Sequence, residues 1–517
     1  MATRYRAFWP DSKPAAAPAH CAVVIGAGIG GLAAAIELAA QGYAVTVVDK
    51  EATPGGKLRQ VPVGPALVDG GPTVLTLRDV FDDLYARAGE RLQDHLTLDP
   101  LPILARHWWP DGATLDLFAD PDQSKQAIAA AFGPTEALGF ERFLAHARRI
   151  WQTVEGPFVR GPRPTPASMV RDYGWQVAPM LARIDASRTV WRSLQTFFAS
   201  PHLRQLFGRY ATYSGCSPFL APATLNLIAW VEAAGVWQVS GGIGQLATAL
   251  AALLQRQGGQ LLLGYGVQQI LTNGQGVTGV LLADGQRLPA SVVVHAGDVS
   301  ALGRGLLGPG VLRSAPVTQP DQRSLSAVTW CLWAQASGLQ LDHHNVLFGP
   351  QYEHEFAAIF DRQQLPDVPT VYVCAQDRGA TVPTGPERLL VLANAPAVGD
   401  QNQPALADLD ALQERTFAHL QRLGLHIVSA APAVRTGPAD WERLFPASGG
   451  ALYGAANHTF GASLQRPGAE TSVPGLYLAG GTAHPGAGLP MAALSGRLAA
   501  EAIVARHGRP RRLLGAA

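Results

Sequence analysis

The chain has 517 residues, 47% hydrophobic and only 15% charged, with a formal net charge of +1. Soluble chains average about 25% charged residues, so there is room here for a large apolar interior or an apolar cavity, and the length exceeds the ~250–300 residues at which a single core stops growing. Near-zero net charge excludes recruitment of nucleic acid by a global field; the four cysteines, Cys21, Cys216, Cys331 and Cys374, form no CxxC or Cys/His ligand spacing, and no apolar run reaches the ~18 residues of a membrane span.

In chain order, residues 1–19 read as a flexible arm, broken by Pro and Ala and without a signal-peptide core. Ala22, Val23, Val24 and Ile25 read as a buried parallel strand. Gly26, Gly28 and Gly31 follow, with Ala27, Ile29 and Gly30 between them. These glycines supply a tight turn, close backbone approach to a pyrophosphate, and close helix-to-strand contact. Residues 32–41 read as an Ala-rich helix stopped by Gly42, its first amides facing phosphate. A second strand, 45–48, ends at Asp49, whose carboxylate suits a ribose diol and would repel a 2′-phosphate. Lys50 follows, then Gly55, Gly56 and Lys57, a second glycine pair suited to a long cofactor.

Residues 100–233 interrupt this pattern. They bring Trp191, Phe197, Phe198, Phe207, Tyr210, Tyr213, Phe219 and Trp230, which read either as cavity walls or as ordinary core. Arg204, Arg209 and Glu232 stand in the same apolar sequence and are the candidate catalytic residues. A guanidinium stabilises a reduced anion, and a carboxylate of raised pKa takes a proton; the competing reading places them on a wet helix face. The stretch PFLAPATLNLIAWV, 218–231, suits either a membrane interface or a core helix.

Residues 244–257 read as a helix, followed by strands at 260–263 and 267–271, turns at Asn273-Gly274 and Asp284-Gly285, and a returning strand at 292–295. Val267 is placed to offer backbone bonds to an adenine. In 301–449, His343, His344 and Asn345 read as cavity-lining or packing residues. As a metal pair the histidines are rejected, because neighbours on a strand point oppositely and no third ligand is in view, so no metal is expected. Residues 476–479 form another apolar strand, Gly480 and Gly481 turn, and Leu489, Pro490 and Met491 open a closing helix whose amides suit a flavin carbonyl. A nicotinamide domain needs no such distant second element, so FAD is the expected cofactor. Residues 506–514 add four arginines suited to anionic headgroups.

The fold class expected is α/β: a Rossmann-like FAD-binding domain, with a parallel sheet, helices and a β-meander, plus an inserted mixed α+β substrate-binding domain. Its pieces are the arm (1–19), the FAD domain (20–99, 234–300, 450–507), the substrate and membrane-facing domain (100–233, 301–449) and a basic tail (508–517).

In GAGIGGL…VVDKEATPGGK, GVWQVSGGIGQLA and LYLAGGTAHPGAGLP the chain resembles the bacterial carotenoid desaturases, the phytoene-desaturase-like flavoenzymes, and the match runs over nearly everything beyond the first 20 residues. ALVDGGPTVLTLRDVFDDL, PTVYVCAQDR and SGGALYGA resemble the branch acting on 1-hydroxycarotenoids. The resemblance implies FAD-dependent desaturation across C3–C4 of an acyclic carotenoid, by hydride transfer to flavin N5. It also implies a cytoplasmic protein held peripherally at the inner or photosynthetic membrane. Where many flavoproteins carry an Asp for the ribityl chain, this sequence has Gly480-Gly481-Thr482. The same fold leaves open phytoene desaturation, carotene isomerisation, amine or protoporphyrinogen oxidation and, outside enzymes, a prenyl-lipid carrier. The electron acceptor is open between oxygen and a quinone, and no nucleic-acid partner is expected.

Overall fold

The computed structural model describes residues 20–379, 382–459 and 461–510. The arm expected at 1–19 and residues 511–517 of the basic tail lie outside the described residues.

Five strands, Cys21–Ile25, Ala44–Asp49, Gln260–Leu263, Val292–His295 and Leu476–Leu478, pair in parallel, with Cys21–Ile25 at the centre. Their apolar sequences divide by strand parity. Val24, Val45, Val47, Val292 and Val294 pack against the helices Ile29–Ala40, Gln245–Arg256 and Leu489–His507. Val23, Val48, Val293, Leu476 and Leu478 pack instead against a three-stranded meander, Val267–Asn273, Gly276–Leu282 and Arg287–Pro289. Both faces are covered, which is why these strands read as continuous apolar runs rather than alternating ones. The chain passes from the central strand to one side, then returns to the other, opening a crevice beyond the carboxyl ends at Ile25 and Asp49.

A second sheet has spatial order Leu425–Ser429, Ser326–Gly338, Glu387–Ala395, Val371–Ala375, His344–Leu347, Ile103–Trp108, Thr114–Phe118, with Val434–Thr436 also on Ser326–Gly338. Residues from both inserted segments therefore share one sheet. Val328, Trp330, Val391 and Ala393 pack with Leu412 and Leu420 of the helix Leu406–Arg422. The alternate residues Ala327, Thr329, Leu390 and Leu392 turn the other way, into a cavity. Helices between Pro121 and Ala233 cover that cavity from the far side, around a core of Phe143, Phe198, Phe207 and Tyr210.

Candidate active site

The cavity, about 880 Å³, runs from the crevice of the parallel sheet to the face of the second sheet. Its first end is built from backbone. The Ala27 amide donates to Asp49 Oδ2 at 2.7 Å and the Glu51 amide to Oδ1 at 2.9 Å, so the acid at the end of the second strand ties down the glycine turn. The Gly55 amide donates to the Ala27 carbonyl at 2.9 Å, laying the second glycine pair alongside the first. A Cβ at Gly31 would collide with the Gly26 carbonyl oxygen, and one at Gly30 would stand 2.6 Å from Gly480 Cα. At Gly28 the nearest atom would be 3.9 Å away, so there the missing side chain leaves open space. The helices Ile29–Ala40 and Leu489–His507 both begin without a side-chain cap, and both first turns face the cavity. Their uncapped amides are natural acceptors of anionic or carbonyl oxygens.

Two buried cations close this end. Lys57 Nζ donates to the Leu452 carbonyl, and burial holds its ammonium down to about 8. Arg466 donates to the carbonyls of Gly481, Tyr453 and Ala455 at 2.9, 3.0 and 2.9 Å, joining the strand-end turn to the segment before it.

Beyond this cradle the lining is apolar, with Trp151, Val154, Leu225, Ile228 and Val231 facing Leu390 and Leu392. The charged lining residues there, among the described residues, are Arg209 and Glu232. Glu232 accepts from Tyr210 at 2.5 Å and from Tyr213 at 2.8 Å. Arg209 donates from Nη2 to the Tyr213 hydroxyl at 3.1 Å, while its Nε is buried without a partner. Burial raises the Glu232 carboxyl above its ordinary range, and Arg209 with the two phenols pulls it back. Gly71 packs on the Lys57 carbonyl, and two residues on, Thr73 shares a 2.7 Å hydrogen bond with Tyr372, also in the lining.

The family model for flavin containing amine oxidoreductases matches residues 29–504. The chain is 49% identical over 490 residues to hydroxyneurosporene desaturase of Rubrivivax gelatinosus, covering 94% of this chain and 93% of that one. It is 46% identical over 486 residues to hydroxyneurosporene desaturase of Cereibacter sphaeroides, covering 93% and 97%. It is a flavin-containing oxidoreductase of the carotenoid desaturase family. The fold agrees with that of an oxidoreductase from Methanosarcina mazei, at a TM-score of 0.59 and 14% identity, covering 94% of this chain and all of that one.

FAD is the cofactor of this flavoenzyme, and the cradle fits it: open space at Gly28, two uncapped helix starts and an acid at the second strand's end. Gly26, Gly28, Ile29, Gly30, Asp49, Lys50, Gly55, Gly56, Lys57, Val267, Gly480, Gly481, Leu489, Pro490 and Met491 all line the cavity. Ala27 and Gly31 do not: the Ala27 amide is taken by Asp49, and Gly31 abuts the Gly26 carbonyl, so they shape the turn rather than face a ligand.

Of the candidate catalytic residues in this flavoenzyme, Arg209 and Glu232 meet in one cluster and Arg204 stays outside it. The Arg204 guanidinium donates to the carbonyls of Ala199 and Ser200, on the helix side away from the cavity. Of the eight aromatics, Tyr213 alone reaches the lining. Phe198, Phe207 and Tyr210 stack in the core, and Trp230 lies under Arg148. The stretch 218–231 turns Leu225, Leu227, Ile228 and Val231 inward to the cavity, while Leu220 is exposed. Arg466 and Asp298 also line the site. Neither sits in a sequence pattern that marks it: Arg466 is held by carbonyls of other segments, and Asp298 follows the strand Val292–His295 in a turn where it accepts from the Ser300 amide. The histidines were rejected as ligands on strand geometry, yet His343 precedes the strand and folds back, bringing both rings beside Cys374.

Proposed function

We propose that this enzyme introduces a C=C bond into an acyclic carotenoid carrying a hydroxyl at C1, across C3–C4. The observation that carries the reading is the cavity itself: apolar along its length, continuous with the cofactor cradle, and charged beyond it only at Arg209 and Glu232. A hydrocarbon chain gains roughly 25 cal/mol per Å² of apolar surface buried there. Buried charges would only repel such a chain unless it carries one polar end. The C1 hydroxyl lies two carbons from C3, so this reading requires the Arg209 and Glu232 cluster to receive that hydroxyl near the reacting carbons. Arg209 lines the cavity there and is the cation of the cluster.

Bound FAD supplies a two-electron acceptor that takes a hydride from one of the two carbons. The second carbon's proton then needs a base, and the Glu232 carboxylate, raised by burial, is the group placed to hold it at Oε2 once Tyr213 shifts its hydroxyl. Arg209 opposes the effect of burial on the acid and, in this reading, orients the substrate oxygen.

Access from lipid is proposed through the segment 166–184. Val170 and Trp175 are 63% and 81% exposed there, and Leu181 and Ile184 continue from this patch into the cavity lining. An exposed tryptophan beside an apolar entrance suits a bilayer interface. Liposome flotation tests this: Trp175→Ser shifts protein from the floating to the soluble fraction, and unchanged flotation rejects the segment.

The deciding experiment presents the FAD-loaded protein with a 1-hydroxylated acyclic carotenoid and, separately, phytoene, both in liposomes, and records product mass and absorption. A loss of two mass units with a red shift from the hydroxylated substrate alone is expected. Reaction with phytoene instead would reassign the substrate to the unhydroxylated class, and an unchanged mass with a shifted spectrum would indicate isomerisation.

A further inference from the structure

Outside the cavity lining, the described residues bring three soft metal-ligating side chains together, His343, His344 and Cys374, all buried, with ligand atoms within 4.8 Å of one another. The strand His344–Leu347 pairs antiparallel with Val371–Ala375, which sets His344 directly across from Cys374. His343, just before that strand, brings its ring 4.6 Å from that of His344. His343 Nδ1 lies 3.0 Å from the Arg378 carbonyl oxygen and 3.2 Å from Gln238 Nε2; in the tautomer that donates from Nδ1 to the carbonyl, Nε2 keeps its lone pair, 3.7 Å from Cys374 Sγ. A histidine held through its other nitrogen by a carbonyl is the usual support of a metal ligand. His344 Nδ1 bonds the Tyr372 hydroxyl at 2.7 Å, while its Nε2 is buried with no partner.

Without a metal, an Sγ–H donated to His343 Nε2 satisfies one imidazole and leaves the other orphaned. With an ion between them, both are satisfied. Bonds of ~2.0–2.1 Å to nitrogen and ~2.3 Å to sulfur place N and S about 3.6–3.8 Å apart for tetrahedral to trigonal angles. The observed His343 to Cys374 separation needs no adjustment to accept one.

We propose that His343, His344 and Cys374 form a binding site for a soft monovalent cation, Cu+. Two imidazoles and a thiol with no carboxylate disfavour hard cations. Charge then selects among soft ones. Cu+ with the thiolate is neutral, whereas Zn2+ would leave a net positive charge in a buried interior. Binding forms the Cu–S bond, releases the Cys374 thiol proton to solvent and changes no oxidation state. The ion would clamp two strands of the second sheet, two residues along the strand from the cavity-lining Tyr372. The inference is independent of the substrate proposed above.

The test uses the full FAD-loaded chain, equilibrated without oxygen against Cu+ buffered by a bathocuproine chelator and, in parallel, against chelator-buffered Zn2+, then desalted for elemental analysis. About one copper per chain is expected in the wild type and in a Cys331→Ser control. Retention should fall at least about tenfold in Cys374→Ser and His344→Gln, with the flavin spectrum reporting that each variant is folded. X-ray absorption of the wild type should show one sulfur and two nitrogens at the copper, which holds whatever the variants do. Absence of stoichiometric copper, preference for Zn2+, equal retention in Cys374→Ser, or a copper shell without sulfur would each overturn the site.

Discussion

The two ends of the cavity are built by different means. At the cradle the working surface is backbone: absent side chains at Gly28 and Gly30, uncapped amides and one carboxylate bracing a turn. At the far end it is side chains, apolar ones from two sheets' worth of chain and a single buried set of Arg209, Tyr210, Tyr213 and Glu232. Backbone geometry suits a cofactor that never changes, because amides and glycines recognise phosphate and carbonyl oxygens without regard to substrate. A side-chain cluster suits selection among similar hydrocarbons, since a buried polar set left unpaired penalises the wrong molecule by several kcal/mol.

Four substitutions separate the two ends. The largest effect is expected from Gly31→Val, whose side chain would drive into the Gly26 carbonyl at a cost above ~4 kcal/mol; the purified protein should carry almost no flavin, and full flavin content would show that the turn can yield. Next is Glu232→Gln, which keeps the cradle intact. Flavin content should be normal while anaerobic flavin reduction by substrate slows by ~10²–10⁴-fold, and an undiminished rate removes Glu232 as the base.

Smaller is Glu355→Gln, below the far end. Glu355 accepts from the Thr370 amide at 2.9 Å and from Asn394, which lines the cavity, at 3.2 Å, and burial raises its carboxyl to about 7. With the folded value above the unfolded one, its contribution to stability is complete below the ordinary 4.5 and is lost as pH rises through 7. Wild-type stability should therefore decline over that window by on the order of 3 kcal/mol relative to the Gln variant, as read from denaturant titrations at stepped pH. Parallel curves for the two proteins would refute it. The smallest effect is expected from Asp49→Asn at the cradle: the Ala27 and Glu51 amides each use a different carboxylate oxygen, so one of them loses its acceptor and meets an NH2 instead, and FAD affinity should weaken about tenfold, measured by equilibrium loading.

The difference between the ends also governs what could be read without coordinates. Gly26 to Asp49 is one contiguous stretch whose spacing dictates its backbone; the strands and closing helix stand within a residue of their expected limits, while the helix expected at 32–41 starts three residues earlier, at Ile29. At the far end, Glu232 and Arg209 drew notice only as charges in apolar sequence. That Arg204 would not join them depends on which face of one helix meets the cavity. The apolar stretch 218–231 looks the same facing a membrane or a cavity. His343 and His344 were judged by the alternation of a strand that begins one residue after His343, and their third partner comes from a neighbouring strand 31 residues away.

The contact between the first and last helices carries a consequence for synthesis. Gly30 lies against Gly480, and a Cβ at Gly496 would strike the Gly30 carbonyl, so the opening turn is completed only by residues beyond 475. At ~5–20 residues per second, the amino-terminal half of the cradle waits tens of seconds for that partner to leave the ribosome. Meanwhile its central strand Cys21–Ile25 lacks the neighbour Val292–His295 on which Leu476–Leu478 will later pair. A complete cradle thus exists only once nearly the whole chain has been made, and until then the opening strands stand in an unfinished sheet.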